Sequence, residues 1–166
     1  TKKVVVLASS LPGIKYIRTS RPKTRVLYKD EEQFEVGGFK VVLQSKADQA
    51  VIIGAGVTLH EALKAGEVLR ERERNVAVVD LYCIKPLDEK GLKDFVRKHG
   101  GKIIVAEDHY SEGGIGEMVA AVFENEGIRV ERLAVKVIPH SGKKEELLER
   151  YRLSWKAIAR AVEGLL

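Results

Sequence analysis

Only one cysteine, Cys83, occurs in the 166 residues. A disulfide within the chain is therefore excluded, and so is a metal site built from several thiolates. A lone thiol fits a reducing compartment, and the expected location is cytoplasmic. Long apolar runs are missing too. No stretch approaches the ~18 residues a membrane helix needs, and Val4 to Ala8 is too short for the apolar part of a secretory signal. Segregated charge is also lacking. The net charge is +5 and the pI about 9.3, but Arg70, Glu71, Arg72, Glu73 and Arg74 alternate in sign, as on a solvated helix face. Nucleic acid is not an expected partner, and neither is a membrane. No internal repeat or low-complexity tract is visible. What remains is a chain 45% hydrophobic and 32% charged, enough for one well-packed domain with a short extra segment. It begins with Thr1 rather than Met, which fits a processed product or a piece of a longer chain.

The sequence divides into a leader, residues 1–40, and an alternating body, residues 41–166. In the leader, Ile14–Arg18 and Arg25–Lys29 read as extended runs. Thr19-Ser20-Arg21-Pro22 between them is a polar loop, held away from helix by the proline. The acidic stretch Asp30–Gly38 ends in Gly37-Gly38 and reads as a linker. In the body, Val41–Leu43 and Ala50–Ile53 are short β-branched runs about the polar turn Lys46–Gln49, and read as a hairpin. Thr58–Arg74 is a helix with an apolar face of Leu59, Ala62, Leu63, Gly66 and Leu69. Thr58 and Glu61 have the spacing of a capping box. Strands follow at Val76–Leu81, Lys102–Ala106 and Arg129–Ile138. Helices follow at Asp88–His99, Ile115–Asn125, Lys143–Tyr151 and Ser154–Leu165, with Asp88 as N-cap and Gly100-Gly101 as a stop. The pattern predicts a three-layer α/β/α fold around a mostly parallel sheet of about five strands, with the hairpin supplying one antiparallel edge.

Three segments carry residues suited to chemistry. Gly54-Ala-Gly56-Val-Thr58 joins a strand to a helix, as a phosphate-cradling turn does, and Asp80 sits about where a ribose-binding acid is expected. The third glycine of that fingerprint is replaced by Leu59, so the plain reading is a tight turn. The second segment is Glu107-Asp-His-Tyr-Ser-Glu-Gly-Gly-Ile-Gly116, at the C-terminal end of a strand, where open α/β sheets place ligands. His109 there suits general acid–base work. A polar subunit interface accounts for the same composition, and both readings stand. In the third, Arg18-Thr-Ser20-Arg21-Pro22, the fork of each arginine suits phosphate or carboxylate. Taken alone, those residues make a solvated basic loop. His60, His99 and His140 lack metal-ligand spacing. Cys83 reads as a small packed hydrophobe, and Trp155 as a packing residue of the last helix.

Taken in order, five words resemble the C-terminal part of animal-type transketolases. They are Gly13-Ile-Lys-Tyr-Ile-Arg-Thr-Ser-Arg-Pro22, Gly54-Ala-Gly-Val-Thr-Leu-His-Glu-Ala62, Ile84-Lys-Pro-Leu-Asp88, Glu107-Asp-His-Tyr-Ser-Glu-Gly-Gly-Ile-Gly-Glu117 and His140-Ser-Gly142. The resemblance covers residues 13–166 and is weaker over 1–12. It implies a share in a three-domain enzyme that moves a two-carbon ketol unit between sugar phosphates with thiamine diphosphate and magnesium or calcium. The sites for that cofactor and metal lie in domains not represented here. No catalytic, cofactor-binding or metal-binding residue is therefore assigned to this chain, and alone it is expected to be inactive.

One residue carries over. The arginine of the Ser-Arg-Pro word, Arg21, is implied to contact the substrate phosphate, with Arg18 and Ser20 shaping the loop. Residues 1–40 then look like the tail of the middle, pyrimidine-binding domain plus a linker, and 41–166 like the C-terminal domain. Residues 13–30 are expected to be partly disordered or atypically packed without their sheet neighbours. The implied partners are the N-terminal and middle domains, in the same or a separate chain, a second copy in a homodimer, and sugar phosphates. The alternative is an independent nucleotide-binding module built on Gly54–Thr58 and Asp80.

Overall fold

The computed structural model describes residues 1–20 and 23–166. Among these, five strands form one sheet in the order β1-β3-β2-β4-β5. They are β1 (Lys40–Leu43), β2 (Val51–Gly54), β3 (Ala77–Asp80), β4 (Lys102–Tyr110) and β5 (Arg129–Val135). Strands β3, β2, β4 and β5 run parallel, and β1 is antiparallel to β3 at the edge.

The alternation of side chains along a strand builds the layers. Ile52, Val78 and Ile104 face one way, against α2 (Val57–Glu71) and α6 (Trp155–Leu165). Val51, Ile53, Val79, Ile103 and Val105 face the other way, against α3 (Glu89–Lys98) and α4 (Ile115–Val122). A smaller cluster seats α5 (Lys144–Arg150) through Leu148, with Val57 and Leu153. Strands buried on both faces carry continuous Val/Ile runs, as β2 does. The expected three-layer fold with one antiparallel edge is present.

Four local expectations change. The hairpin does not form: both edges of β2 are taken by parallel neighbours, so β1 crosses to pair with β3. The capping box does not form either. Helix α2 starts one residue early, with Gly56 as N-cap, and buried Thr58 turns its hydroxyl back to donate to the Ala55 carbonyl at 3.0 Å. Gly37-Gly38 is packed rather than a loose linker. Gly37 N–H meets Cys83 Sγ at 3.2 Å and its carbonyl accepts from Asp88 N–H at 2.8 Å. Lastly, β4 extends past Ala106 to Tyr110, because the register with β5 shifts and resumes at Tyr110↔Val135. The cap at Asp88 does form, accepting from Gly91 N–H at 2.9 Å. Helix α3 ends where Gly100 and Gly101 take positive φ.

The leader opens with a helix the sequence reading did not assign, α1 (Lys2–Ser9). Neither Ile14–Arg18 nor Arg25–Lys29 joins the sheet.

Candidate functional site

The parallel strands end on one edge, and three of the singled-out segments meet there. At the end of β3, Asp80 is buried, and its Oδ2 accepts a hydrogen bond from the Tyr28 hydroxyl at 2.5 Å. Burial pushes the Asp80 carboxyl above the usual carboxylate range, with the Tyr28 hydrogen bond opposing the shift. The Tyr28 hydroxyl is pushed above its ordinary value by its own burial and by the adjacent carboxylate. An aromatic ladder continues this contact. Phe34 stands edge-on to both Tyr28 and Tyr82, with ring centroids 5.1 and 4.9 Å apart. Tyr82 donates to the Glu35 carbonyl at 2.9 Å. The leader is thus strapped across the end of β3.

At the end of β4, Glu107 is buried with its side chain folded under the following helix. Its carboxylate accepts from Ile115 N–H at 2.6 Å and Gly116 N–H at 3.0 Å, which closes the N-terminus of α4. Burial raises its proton affinity, and the two N–H groups oppose that rise. A Cβ at Gly116 would lie 2.7 Å from Glu107 Oε1 and 2.9 Å from Arg132 Cδ, so any larger residue would have to displace one of those side chains. Glu117 takes Gly113 N–H at 2.6 Å. The glycine-rich segment is therefore a helix N-terminus filled by the chain's own carboxylates.

The next residues point outward. Asp108 is exposed and takes Arg18: the guanidinium is 3.3 Å from each carboxylate oxygen and 3.0 Å from the main-chain carbonyl. His109 is exposed, and its Nδ1 donates to the Tyr110 carbonyl at 2.9 Å. Ser20 is exposed. Arg21 and Pro22 lie outside the described residues.

Between β3 and β4 stands the end of β2, with its glycine turn. Gly54 is tightly enclosed, since a Cβ would lie 3.0 Å from Leu59 N. Gly56 has φ 56 and ψ −120, a conformation that glycine adopts and side-chain-bearing residues rarely do. His60, in the first turn of α2, is held below its ordinary pKa by burial and by the charges of Lys144 and Arg25. The donor set does not suit a diphosphate or its metal. Thr58 is turned inward, Asp80 already has Tyr28, and no group of three or more His, Cys, Asp and Glu is placed to hold a metal among the described residues.

The opposite edge holds a constellation the sequence reading missed. Asp48, in the turn before β2, has its side chain fully enclosed. It accepts from Ser45 N–H at 2.9 Å, Ser45 Oγ at 2.7 Å and His99 Nδ1 at 2.8 Å. His99 stacks on Phe95 at 4.1 Å. A cleft of about 460 Å³ lies beside it, lined by Gln44, Ser45, Lys46, Lys98 and His99. The sequence signal for it is an aspartate three residues before the buried strand β2. No helix among the described residues is long and apolar enough to cross a membrane.

Known proteins match this arrangement. The family described as "Transketolase, C-terminal domain" matches residues 17–158. Transketolase of Rattus norvegicus is 52% identical over 167 residues, covering all of this chain and 27% of the rat protein. Transketolase-like protein 1 of Bos taurus is 46% identical, over 100% of this chain and 28% of the bovine one. The chain thus spans about a quarter of the length of these relatives. A solved structure described as "Split gene transketolase, inactive beta4 tetramer" superposes with TM-score 0.87 at 29% identity, over 98% of this chain and 52% of that one. Transketolase of Campylobacter jejuni superposes with TM-score 0.66 at 16% identity, over 87% of this chain and 21% of that one, a likeness of fold. By sequence and fold together, the chain belongs to the transketolase C-terminal domain family.

Proposed function

We propose that this chain works as the C-terminal portion of a transketolase that uses thiamine diphosphate, with magnesium or calcium, to move a two-carbon ketol unit between sugar phosphates. Its share is assembly of a homodimer and binding of the substrate phosphate through Arg21, with Arg18 and Ser20 shaping that loop. In this reading residues 1–40 are the tail of the middle domain and a linker, 41–166 are the C-terminal domain, and the compartment is cytoplasmic. The carrying observation is identity of 52% across the whole chain to a transketolase of which it spans 27%. The relative described as a split-gene transketolase supports a version in which the remaining domains come from a separate chain. The nucleotide-binding alternative is disfavoured, because the carboxylate it needs at Asp80 is engaged by Tyr28.

The test is a ketol-transfer assay with xylulose 5-phosphate, ribose 5-phosphate, thiamine diphosphate and magnesium. The chain is assayed alone, then mixed with a protein carrying the other transketolase domains. Activity only in the mixture is expected. Arg21→Ala is then expected to raise KM for phosphorylated sugars about ten- to a hundredfold, the loss of one charge-assisted hydrogen bond. Inactivity of the mixture, or activity of the chain alone, overturns the reading. A pure assembly role with no ligand predicts a dimer weakened by charge reversal at this edge, with Glu107 and Asp108 as the candidate positions. Only Asp108 serves, since reversal at buried Glu107 would break the α4 cap.

A further inference from the structure

The cleft beside Asp48 and His99 lies at the N-terminal edge of the sheet. Asp48 stands in the turn before β2, and His99 caps α3 ahead of β4. The frame is tight: a Cβ on Gly100 would lie 2.2 Å from the backbone of Gln49, so the two loops are pressed together. The enclosed Asp48 carboxylate has both oxygens engaged, Oδ1 by Ser45 Oγ and Oδ2 by Ser45 N–H and His99 Nδ1. Holding these loops together uses only one side of the imidazole. A carboxylate only accepts, so His99 carries a proton on Nδ1, and the nitrogen left for a ligand is Nε2. The stack on Phe95 fixes the plane of the ring.

The cleft wall has one sign. Gln44, Ser45, Lys46, Lys98 and His99 line it, with no acid among these five. Lys93 and Arg97 of α3 are drawn away to Glu126. Arg70, from α2, reaches the Gln44 carbonyl at 3.5 Å and adds a third cation nearby. The end of α3 contributes partial negative charge, but its Val96 carbonyl is already taken by the His99 and Gly101 N–H groups at 3.1 and 3.0 Å. Charge therefore favours an anion. Phosphate suits His99 better than a carboxylate does. The second pKa of a phosphate monoester is about 6, so near neutral pH a single proton, held by the phosphate or by Nε2, makes the hydrogen bond either way. A carboxylate brings no proton, and bonds Nε2 only when the imidazole is charged. The cleft volume of about 460 Å³ falls among small-molecule sites, roughly 300–1,000 Å³.

We propose that this cleft binds the phosphate group of a small phosphate monoester, with His99 Nε2 sharing the proton and Lys46 and Lys98 supplying the charge. The buried Asp48 carboxylate sets the tautomer that leaves Nε2 to the ligand. This inference does not rest on the role of Arg21.

The test is titration of the chain with ribose 5-phosphate at neutral pH and constant ionic strength, read by nitrogen-15 spectra of its four histidines. Saturable binding with a Kd of about 1 mM is expected, an ordinary value for a few polar contacts. The His99 Nε2 signal should move with saturation, while those of His60, His109 and His140 stay. Inorganic phosphate should compete, and ribose should not bind. Lys98→Ala is expected to weaken binding about fivefold, as loss of one exposed charge pair does, with the unfolding midpoint unchanged. Lys46→Ala and Lys98→Ala together should abolish saturation. His99→Gln keeps a donor for Asp48 but no imidazole, and should lose the preference for phosphate over succinate, a dianion without a proton to share. The lysine variants keep the test decisive should His99→Gln unfold. No saturation at several times that concentration overturns the site. So does binding that leaves the His99 signal unmoved, since the ligand then sits elsewhere. Succinate binding the wild-type chain as tightly as phosphate overturns the assignment to a phosphate group.

Discussion

The carboxylate of Glu61, at the start of the second turn of α2, accepts a hydrogen bond from the backbone N–H of Trp155 at 2.9 Å. The bond joins two helices far apart in sequence and serves one of the free N–H groups at the start of α6. Ser154 serves another, accepting from Ala157 N–H at 3.4 Å. Lys64, one turn along α2, lies 4.8 Å from the centre of the Trp155 ring. Glu61→Ala should therefore destabilise the chain by about 1–2 kcal/mol, the value of an N-terminal cap. Glu61→Gln, which keeps an acceptor but loses the charge, should cost roughly half of that. Denaturant unfolding checks both. Equal stability of the alanine variant and the wild type would show that α6 is held by Ile158, Ala159, Val162 and Leu165 alone.

Asp48 is the polar group with most to lose. Its enclosed carboxylate receives both Ser45 donors and His99 Nδ1. Asp48→Ala leaves those donors without their acceptor, and a cost of about 2–3 kcal/mol follows. Asp48→Asn retains one acceptor oxygen but presents an amide to a donor, so it should recover only part. A thermal shift of several degrees in unfolding calorimetry is the expected readout, given ~2–4 °C per kcal/mol for a chain of this size.

The glycine turn gives a prediction that separates structure from ligand binding. Gly54→Ala places a Cβ 3.0 Å from the backbone of Leu59. Backbone cannot swing aside as a side chain can, so a cost of about 2–3 kcal/mol is expected. Gly56→Ala meets open space but must hold φ 56, at about 1–2 kcal/mol. Both losses should appear in the isolated chain with no ligand present, with Gly54 the more sensitive. The reverse order in chemical denaturation would point to a role for Gly56 beyond the turn.

The architecture was readable wherever a local pattern had one solution. Runs such as Val51-Ile-Ile and Ile103-Ile-Val fit buried strands, and Asp88 and the Gly100-Gly101 pair mark the ends of α3 as their chemistry demands. Expectations changed where a residue's partner is distant in sequence. Thr58 and Glu61 have capping-box spacing, but Glu61 has its partner on α6. The hairpin reading failed because strand order is a property of the whole sheet, and two nearby β-branched runs do not disclose that β2 prefers two parallel neighbours. The sequence placed Glu107 and the glycines after it at a ligand-binding edge. It did not show that the carboxylate folds back under Gly116. The pairing of Asp48 with His99 joins the turn before β2 to the end of α3, 51 positions apart, so no local pattern discloses it. Arg18 was legible as a loop residue, but its partner Asp108 was not.

The Tyr28–Asp80 pair should give stability a defined pH dependence. Asp80 carries a raised pKa in the folded chain. The folded state thus binds its proton more tightly than the unfolded state does, and the stabilisation this gives is full below the ordinary carboxylate range and lost as pH rises through the folded value. Compared with Asp80→Asn, which keeps an acceptor for Tyr28, the wild type should lose stability as pH rises above about 4, the ordinary carboxylate value. Tyr28 obeys the same sign at the alkaline end. Its hydroxyl titrates above the ordinary tyrosine value, so its contribution holds below about pH 10 and fades above it. Tyr28→Phe should flatten that alkaline fall. It also removes the hydrogen bond that holds the Asp80 pKa down, so the loss above the ordinary carboxylate range should be larger in this variant. The phenylalanine variant forgoes the hydrogen bond to Asp80, about 0.5–1.5 kcal/mol where the carboxyl is neutral and about 1.5–3 kcal/mol where it is ionised. Unfolding free energies of the three proteins at pH 5, 7 and 10.5 measure these slopes. A parallel set of curves would mean that the strap over β3 is held by Phe34 and Tyr82, and that the hydroxyl–carboxylate bond contributes little.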